Sequence, residues 1–415
     1  MPGPIHRGRA FVERILSNGV ETVNTDKIGS ENNPVEQLYL STDDLTVNVP
    51  SDFDTISDAI EAICEQQLPN DTSVTLNIEP GHEIVDNIEV IGENLNYINI
   101  VSEDSTVPLS DGFGDDDIIK VRSGIGPKLS CLIDANGQGN DGVRVRHGFI
   151  YVSEGAGVIN AGYRGAYIWG GGTLAAQGAD FRGAGHNGLT VTRASRANVS
   201  EVDFSDSGGE GIYVSRGSQI HGNDVDCSNA EENGVLVRRS WASVIQGDVS
   251  DAGDRGINAR NGSWVVAQGV TANDTEQRAI EADHGSVVAA TECSIDGCQA
   301  DITVEAERGS RIDVSESSIE NSDFDVFRTG SGCFINAEDA TIASPGRDVF
   351  GAFGGVLSAN GAEVEDPERH VLRCRNGSIL QAHGVEVDGE LVSEDDADPS
   401  SFNSVLEDGI IFSDG

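Results

Sequence analysis

The chain has 415 residues, 51 of them Gly, and a formal net charge of −44 at pH 7. That charge argues against nucleic acid and anionic membranes as partners. No run approaches the ~20 apolar residues that span a bilayer.

Residues 1–45 carry no repeat. Val23-Asn-Thr-Asp-Lys-Ile-Gly and Val35-Glu-Gln-Leu-Tyr-Leu read as an extended leader. Its start, Met1-Pro-Gly-Pro-Ile-His-Arg-Gly-Arg, lacks an apolar h-region, so no secretory signal is expected. Residues 46–117 read as a cap of strand, helix and strand, then irregular early coils. Thr55 is placed to cap the helix, with Asp58 at the third position. Ile56, Ala59, Ile60 and Ile63 give it one apolar face. Val74-Thr-Leu-Asn-Ile alternates as a strand, and such a cap would cover the open end of a stacked core.

From residue 118 to 390 the chain repeats. The fullest copy is Gly211-Ile-Tyr-Val-Ser-Arg-Gly-Ser-Gln-Ile-His-Gly, and its opening recurs at Gly165, Gly188, Gly234, Gly256 and Ala279. Successive copies start 22 or 23 residues apart, the signature of a stacked solenoid. Apolar residues alternate with polar ones, so the repeat unit is built of strands. Each repeat holds about three short runs separated by Gly, Ser, Asn and Asp. The fold class is therefore all-β, a right-handed parallel β-helix with a short N-terminal helix. One interior column is expected through Val143, Ala166, Leu189, Ile212, Val235, Ile257, Ile280 and Ile302. Its neighbour runs Val145, Ile168, Val191, Val214, Val237, Ala259, Ala282 and Val304. Beyond about residue 300 the register drifts, and Leu372 and Cys374 are placed inward so that Arg373 is not buried unpaired. About eleven regular coils at ~4.8 Å each predict a rod roughly 50 Å long. Residues 391–415 form an acidic tail, with one last strand expected at Gly409-Ile-Ile-Phe.

This repeat resembles the pectate-lyase-like right-handed β-helix superfamily, whose members include lyases, hydrolases, epimerases, adhesins and viral tailspikes. The leader is similar to attachment segments of tailed-virus fibres. Lys27, Lys120 and Lys128 are the only lysines, every other base is Arg or His, and acids pervade the coils. That composition resembles proteins of salt-loving archaea, where a Debye length of about 3 Å at 1 M salt screens self-repulsion. Together these resemblances imply a tail-spike or tail-fibre protein of a haloarchaeal virus. It would be a homotrimer, packed through part of the Tyr167–Arg260 face or a Phe327, Phe350 and Phe353 face, that joins other virion proteins through residues 1–45 and attaches to a host glycan or glycoprotein. The alternative on the same fold is a polysaccharide lyase or glycoside hydrolase. A surface adhesin exported by another route is a third reading.

Candidate sites follow from the outward positions of the first strand. Tyr167, Trp169, Tyr213, Arg216 and Arg238 share one face, with Arg239 and Arg260 beside them. Aromatic residues make up only 5% of this chain, so their gathering calls for a reason. Rings stack on sugars and Arg holds carboxylated or sulfated groups, but a subunit interface enriches the same residues. Glu281, Asp283, Glu305 and Glu307 form an acidic group with the spacing of a catalytic pair or a cation site. Solvated surface is the plain alternative for any acid here. Two outward pairs are expected across the coils there, Glu281 beside Thr303 and Asp283 beside Glu305. The seven cysteines form no CxxC pair and suggest buried thiols. No cofactor is expected beyond high salt, with mono- or divalent cations as candidate bound ions.

The charge generates one test. Lowering NaCl from about 3 M to about 0.1 M is expected to lower the melting temperature and weaken the strand circular-dichroism signal. Unchanged values would remove the halophilic reading.

Overall fold

The computed structural model describes residues 45–65, 72–299, 302–368 and 371–388, with backbone alone at 390–391, 405–407 and 410–412. The expected leader, apart from Leu45, and most of the acidic tail lie outside these residues.

Gly211 explains why the repeat keeps its opening glycine. A Cβ there would sit 2.7 Å from Cys227 Cβ and 2.8 Å from the Gly234 carbonyl oxygen of the next coil. Real Cβ atoms do not approach so closely, so the strand must begin with bare backbone. Ile212 and Val214 then turn fully inward. The chain leaves the strand through Arg216 and Gly217, both left-handed with φ of 57° and 75°.

The Gly-Ser that follows is structural. Ser218 is buried, and its hydroxyl accepts the Ser195 backbone N–H of the preceding coil at 3.3 Å. Ser240, Ser286 and Ser310 repeat the contact. The Ser195 and Ser286 hydroxyls donate to carbonyls three residues back, each at 2.7 Å. A second strand, Gln219–Asn223, ends at left-handed Asp224. Asp226 then closes a tight turn, its Oδ1 accepting the Ser228 N–H at 2.9 Å and hydroxyl at 2.6 Å. Asp203 and Ser205 do the same one coil earlier.

Stacked coils generate a right-handed parallel β-helix. The first sheet has 14 strands and the second 17. The third side is strand-like at both ends and reduced to single bridges through Asp180, Asp203, Asp226 and Asp248 in the middle. Fourteen strands give a rod of roughly 60 Å, longer than eleven coils predict.

The interior columns follow the expected register from Val143 to Ile280. There the repeat lengthens by about one residue. Ile280 pairs with Val304, not Ile302, and Ala282 with Ala306, not Val304. Because the slip is an even number of residues, the inward set stays apolar. Pairing then continues past the expected drift, through Phe327–Phe350, Phe350–Leu372 and Ala352–Cys374. Leu372 and Cys374 face inward, as the buried-Arg argument requires. Ile410–Phe412 adds a final strand against Ile379–Gln381. Phe327 and Phe350 are buried and stacked at 5.3 Å, so they do not belong to any outward face. Phe181 and Phe204 stack at 5.8 Å and fill the third corner.

The cap is as the sequence pattern implies. Leu45–Val49 and Val74–Ile78 pair in parallel, and the helix Ile56–Cys64 crosses between them. Thr55 accepts the Asp58 N–H at 3.1 Å, and Ile56, Ala59, Ile60 and Ile63 are buried. All seven cysteines are free, so Cys293 and Cys298 form no bond.

Phe204→Ala removes a fully buried ring whose neighbours are held by coil pairing. The unfolding free energy should fall by about 3–5 kcal/mol, read from the denaturant midpoint. An unshifted midpoint would contradict tight packing at this corner.

Candidate functional site

The outer face of the first sheet is not a flat solvated ribbon. Thr190, Thr192, Ser215 and Asn258 point outward yet are buried. Larger side chains beside them rise as walls. Between these walls lies an open groove of about 330 Å³.

Tyr167, Tyr213, Arg216 and Arg238 all line this groove. Tyr167 and Tyr213 occupy one column, two coils apart, with Thr190 between them. Arg164 stacks on Tyr167 with its guanidinium carbon 4.3 Å from the ring centre. Arg238 lies 5.9 Å from the Tyr213 ring. Trp169 is separated from this set. It lines a neighbouring hollow of about 220 Å³ with Lys120, Arg122, Arg144 and Arg146. Trp169 stays nearly parallel to Tyr167 at 6.1 Å, and Arg146 covers it at 4.4 Å.

The groove holds residues that the sequence pattern did not single out. Arg164, Asn187 and Glu210 each immediately precede the opening glycine of a coil. That position points into the groove, and a polar residue before the glycine was the available signal. Asn187 is buried, donates to Thr190 Oγ1 at 3.1 Å and accepts the Glu210 N–H at 3.3 Å. Glu210 is buried and Glu232 is exposed beside it. Burial pushes the Glu210 carboxyl above the usual carboxylate range, and the neighbouring Glu232 charge adds to the rise. Arg238 partly opposes the rise. His186 also lines the groove, and its Nδ1 is buried without a hydrogen-bond partner among the described residues.

The acidic group lies further along the same sheet in a different register from the one expected. Glu281 faces Glu305, not Thr303, because of the longer coil. Glu281, Asp283 and Glu305 are buried, not solvated. Arginines enclose them. Arg255 contacts Glu281, with Arg278 at 3.3 Å and Arg260 at 3.6 Å. Arg278 reaches Glu305 at 2.6 Å and Arg328 does so at 3.7 Å. Arg308 reaches Asp283 at 2.9 Å and Glu307 at 3.8 Å. His284 Nδ1 lies 2.6 Å from Asp283. Burial raises the Glu305 pKa, Arg278 opposes the rise, and Glu307 adds to it. This group is a charge-balanced network. Among the described residues, no three His, Cys, Asp or Glu side chains converge as metal ligands.

The fold and site thus define a right-handed parallel β-helix bearing an aromatic and cationic groove on its first sheet. Residues 164–344, which contain the whole groove, match the family described as right handed beta helix region. The chain is similar in structure to the catalytic unit of a thermostable GH87 alpha-1,3-glucanase from Streptomyces thermodiastaticus strain HF3-3. That likeness has 12% identity, a TM-score of 0.44, and covers 86% of this chain and 64% of the glucanase. It is also similar to the gp42 tailspike of Acinetobacter phage vb_AbaP_AS12. There the identity is 10%, the TM-score 0.31, and the coverage 82% of this chain and 56% of the tailspike. Neither likeness distinguishes an enzyme from an attachment protein. No curated protein matches the sequence.

Asp141 holds the end of this site. It is fully buried beside Arg164 at 3.3 Å, and burial lifts its pKa from the ordinary 3.8 to about 6. A raised carboxylate pKa means the folded state binds the proton more tightly. Its stabilising contribution is complete below the ordinary value of 3.8 and is lost as pH rises through about 6. Asp141→Asn should therefore gain on wild type by on the order of 3 kcal/mol between acid and neutral pH. Denaturant midpoints across that range measure it, and parallel pH curves for the two proteins would refute it.

Proposed function

We propose that this β-helix is an attachment protein that holds a host-surface glycan in the groove of its first sheet. The observation that carries the reading is the pair Tyr167 and Tyr213, which line one groove with guanidiniums from Arg164, Arg216 and Arg238 around them. Flat rings with nearby fixed donors suit a sugar, whose faces are apolar and whose edge carries hydroxyls. Small buried Thr and Ser at the floor let the ligand approach the sheet.

The finer reading is a virion spike or tail fibre of a halophilic archaeal virus. Its charge of −44 and scarcity of lysine support the halophilic part. Within that reading the protein acts in the virion as a homotrimer, with residues 1–45 joining it to other virion proteins. Phe353 and the exposed Trp264 are apolar side chains left for subunit contacts, now that Phe327 and Phe350 are interior.

A second reading, glycoside hydrolysis, is favoured by the Glu210–Glu232 pair in the same groove. Carboxyls that hydrolyse glycosides stand ~5–9.5 Å apart to flank the scissile bond. Here the Glu232 charge stands beside the buried Glu210, which suits a polar binding wall better than an acid opposite a nucleophile or base. The Glu281, Asp283, Glu305 and Glu307 group is less suited still, because arginines already occupy it.

Tyr167→Ala with Tyr213→Ala leaves the interior columns untouched. On a glycan array and by calorimetry, affinity for the recognised glycan should fall roughly ten- to hundred-fold while circular dichroism is unchanged. If wild type instead releases sugar fragments, and Glu210→Gln with Glu232→Gln stops the release without weakening binding, hydrolysis replaces attachment as the function.

A further inference from the structure

The second sheet has an outward face of its own. Its first outward column starts polar, through Thr173, Arg196 and Gln219. It then turns apolar. Trp241, Trp264, Val287, Phe334, Val356 and Ile379 follow in register, interrupted once by Arg311. Six steps of ~4.8 Å make this stripe ~29 Å long. Trp264 is 55% exposed and the other five are half-buried. Beside the far end lies a hollow of about 470 Å³, walled by Phe334, Val356 and Ile379 and floored by Gly332, Gly354 and Gly377.

Charge is missing from the same face. The outward column next to the stripe runs through Ser243, Val266, Ala289, Asp313, Asn336 and Ser358. Arg311 and Asp313, of opposite sign and on one strand, are the only charged residues in the two columns over this length. Asp313 is already satisfied, its Oδ1 accepting the Ser315 N–H at 3.2 Å, the Ser315 hydroxyl at 2.8 Å and the Asn336 amide at 3.1 Å. On the third side of the same coils Asp296, Glu320, Glu363 and Glu365 point outward and are exposed. Acids were therefore kept off one side of a chain that carries 70 of them. Parallel sheets rarely leave an apolar face in water, and loss of charge with gain of aromatic residues is what separates an interface core from ordinary surface. The first sheet has no equal stripe there, because its outward Phe353 is already covered by Arg328 and Arg373 at 5.3 and 5.4 Å.

We infer that a second copy of this chain packs on this face, so that subunits meet through their second sheets between Trp241 and Ile379. Charge selects the occupant. A basic partner would gain most on the third side, where exposed carboxylates stand. A partner as acidic as this chain can come close only where carboxylates are absent, and a second copy, itself at −44, is such a partner. Contact there joins Trp and aliphatic side chains of two chains, and the one carboxylate it covers has its hydrogen bonds within its own chain. The glycine floor beside Phe334 and Val356 leaves room for a neighbouring ring to enter. The inference deepens the multi-subunit part of the reading above. It moves the contact off the first sheet, whose groove stays open, and does not depend on what that groove binds.

The test is light scattering with the full chain in about 3 M NaCl, where repulsion between copies is screened. Wild type is expected to show the mass of more than one chain at micromolar concentration. Trp264→Glu with Val356→Glu puts carboxylates into the stripe of every copy and should leave a single-chain mass. Circular dichroism should be unchanged, because both side chains point outward. Trp264→Ser alone should weaken self-association at least roughly ten-fold, read from mass against concentration. Tyr151→Glu, on the same sheet before the stripe begins, should keep the wild-type mass. A single-chain mass for wild type would overturn the inference, whether residues 1–44, another protein or water then covers the face. An assembly that survives the double Glu variant would also overturn it, since its contact lies elsewhere. If that variant misfolds, Trp264→Ser decides, its side chain being more than half exposed. Mass and glycan affinity are separate readouts, so failure of the glycan reading leaves this one standing, and the reverse.

Discussion

Everything in this molecule depends on coil lying on coil in a held register. In the coils that open at Gly142, Gly165, Gly188 and Gly211 a bare strand start makes room for the next coil, and later coils that open at Ala279, Val326, Val349 and Val371 keep the same pairing. The buried Ser195, Ser218, Ser263 and Ser286 then tie each first corner to its neighbour. Parallel pairing satisfies the strand backbones, and the two column faces sort apolar residues inward and polar residues outward. Where the coil runs to 24 residues, near residue 300, Ile280 meets Val304, two residues beyond the expected Ile302, so the inward and outward sorting survives. A slip of one would have turned Glu305 into the core.

The same stacking decides what happens to charge. Identical positions in successive coils sit one above another, so any preference at a corner is repeated along the rod. Carboxylates on the first sheet would repel one another in such a column. At Glu281, Asp283 and Glu305 arginines from neighbouring coils cancel that repulsion. At Glu210 the response is different: burial and the neighbouring Glu232 charge favour its protonated form. The groove is the region where this neutralisation is incomplete and aromatic rings stand beside unpaired guanidiniums.

Much of the fold was legible in the sequence because the repeat is short and its glycine has one physical cause. Ile212 and Val214 alternate as a strand must, and Thr55 with Asp58 announces the cap. The longer coil before Val304 was not legible, since Ile302, Val304 and Ala306 are all acceptable inward residues and composition cannot choose among them. Phe327 and Phe350 misled because their coils depart from the glycine template. Of the site, Tyr167, Tyr213 and Arg238 were legible from alternation, and Arg216 from its place just past the strand end. Trp169 lies on the same face but lines a separate hollow, a distinction that depends on side-chain direction and not on parity. Glu210 escaped because the residue before the opening glycine lies outside the strand pattern, although its column faces the same groove.

The left-handed corner residues have a consequence for how such a chain can change. Each coil is closed by three of them and contacts only the coils before and after it. A duplication or loss of one 23-residue unit, cut between equivalent corners, would bring Gly and Ser partners back into contact. The rod would lengthen or shorten by one step, and the column of corner residues with it. Rod length in this architecture is therefore a heritable integer, set by recombination within the gene before any single residue is altered.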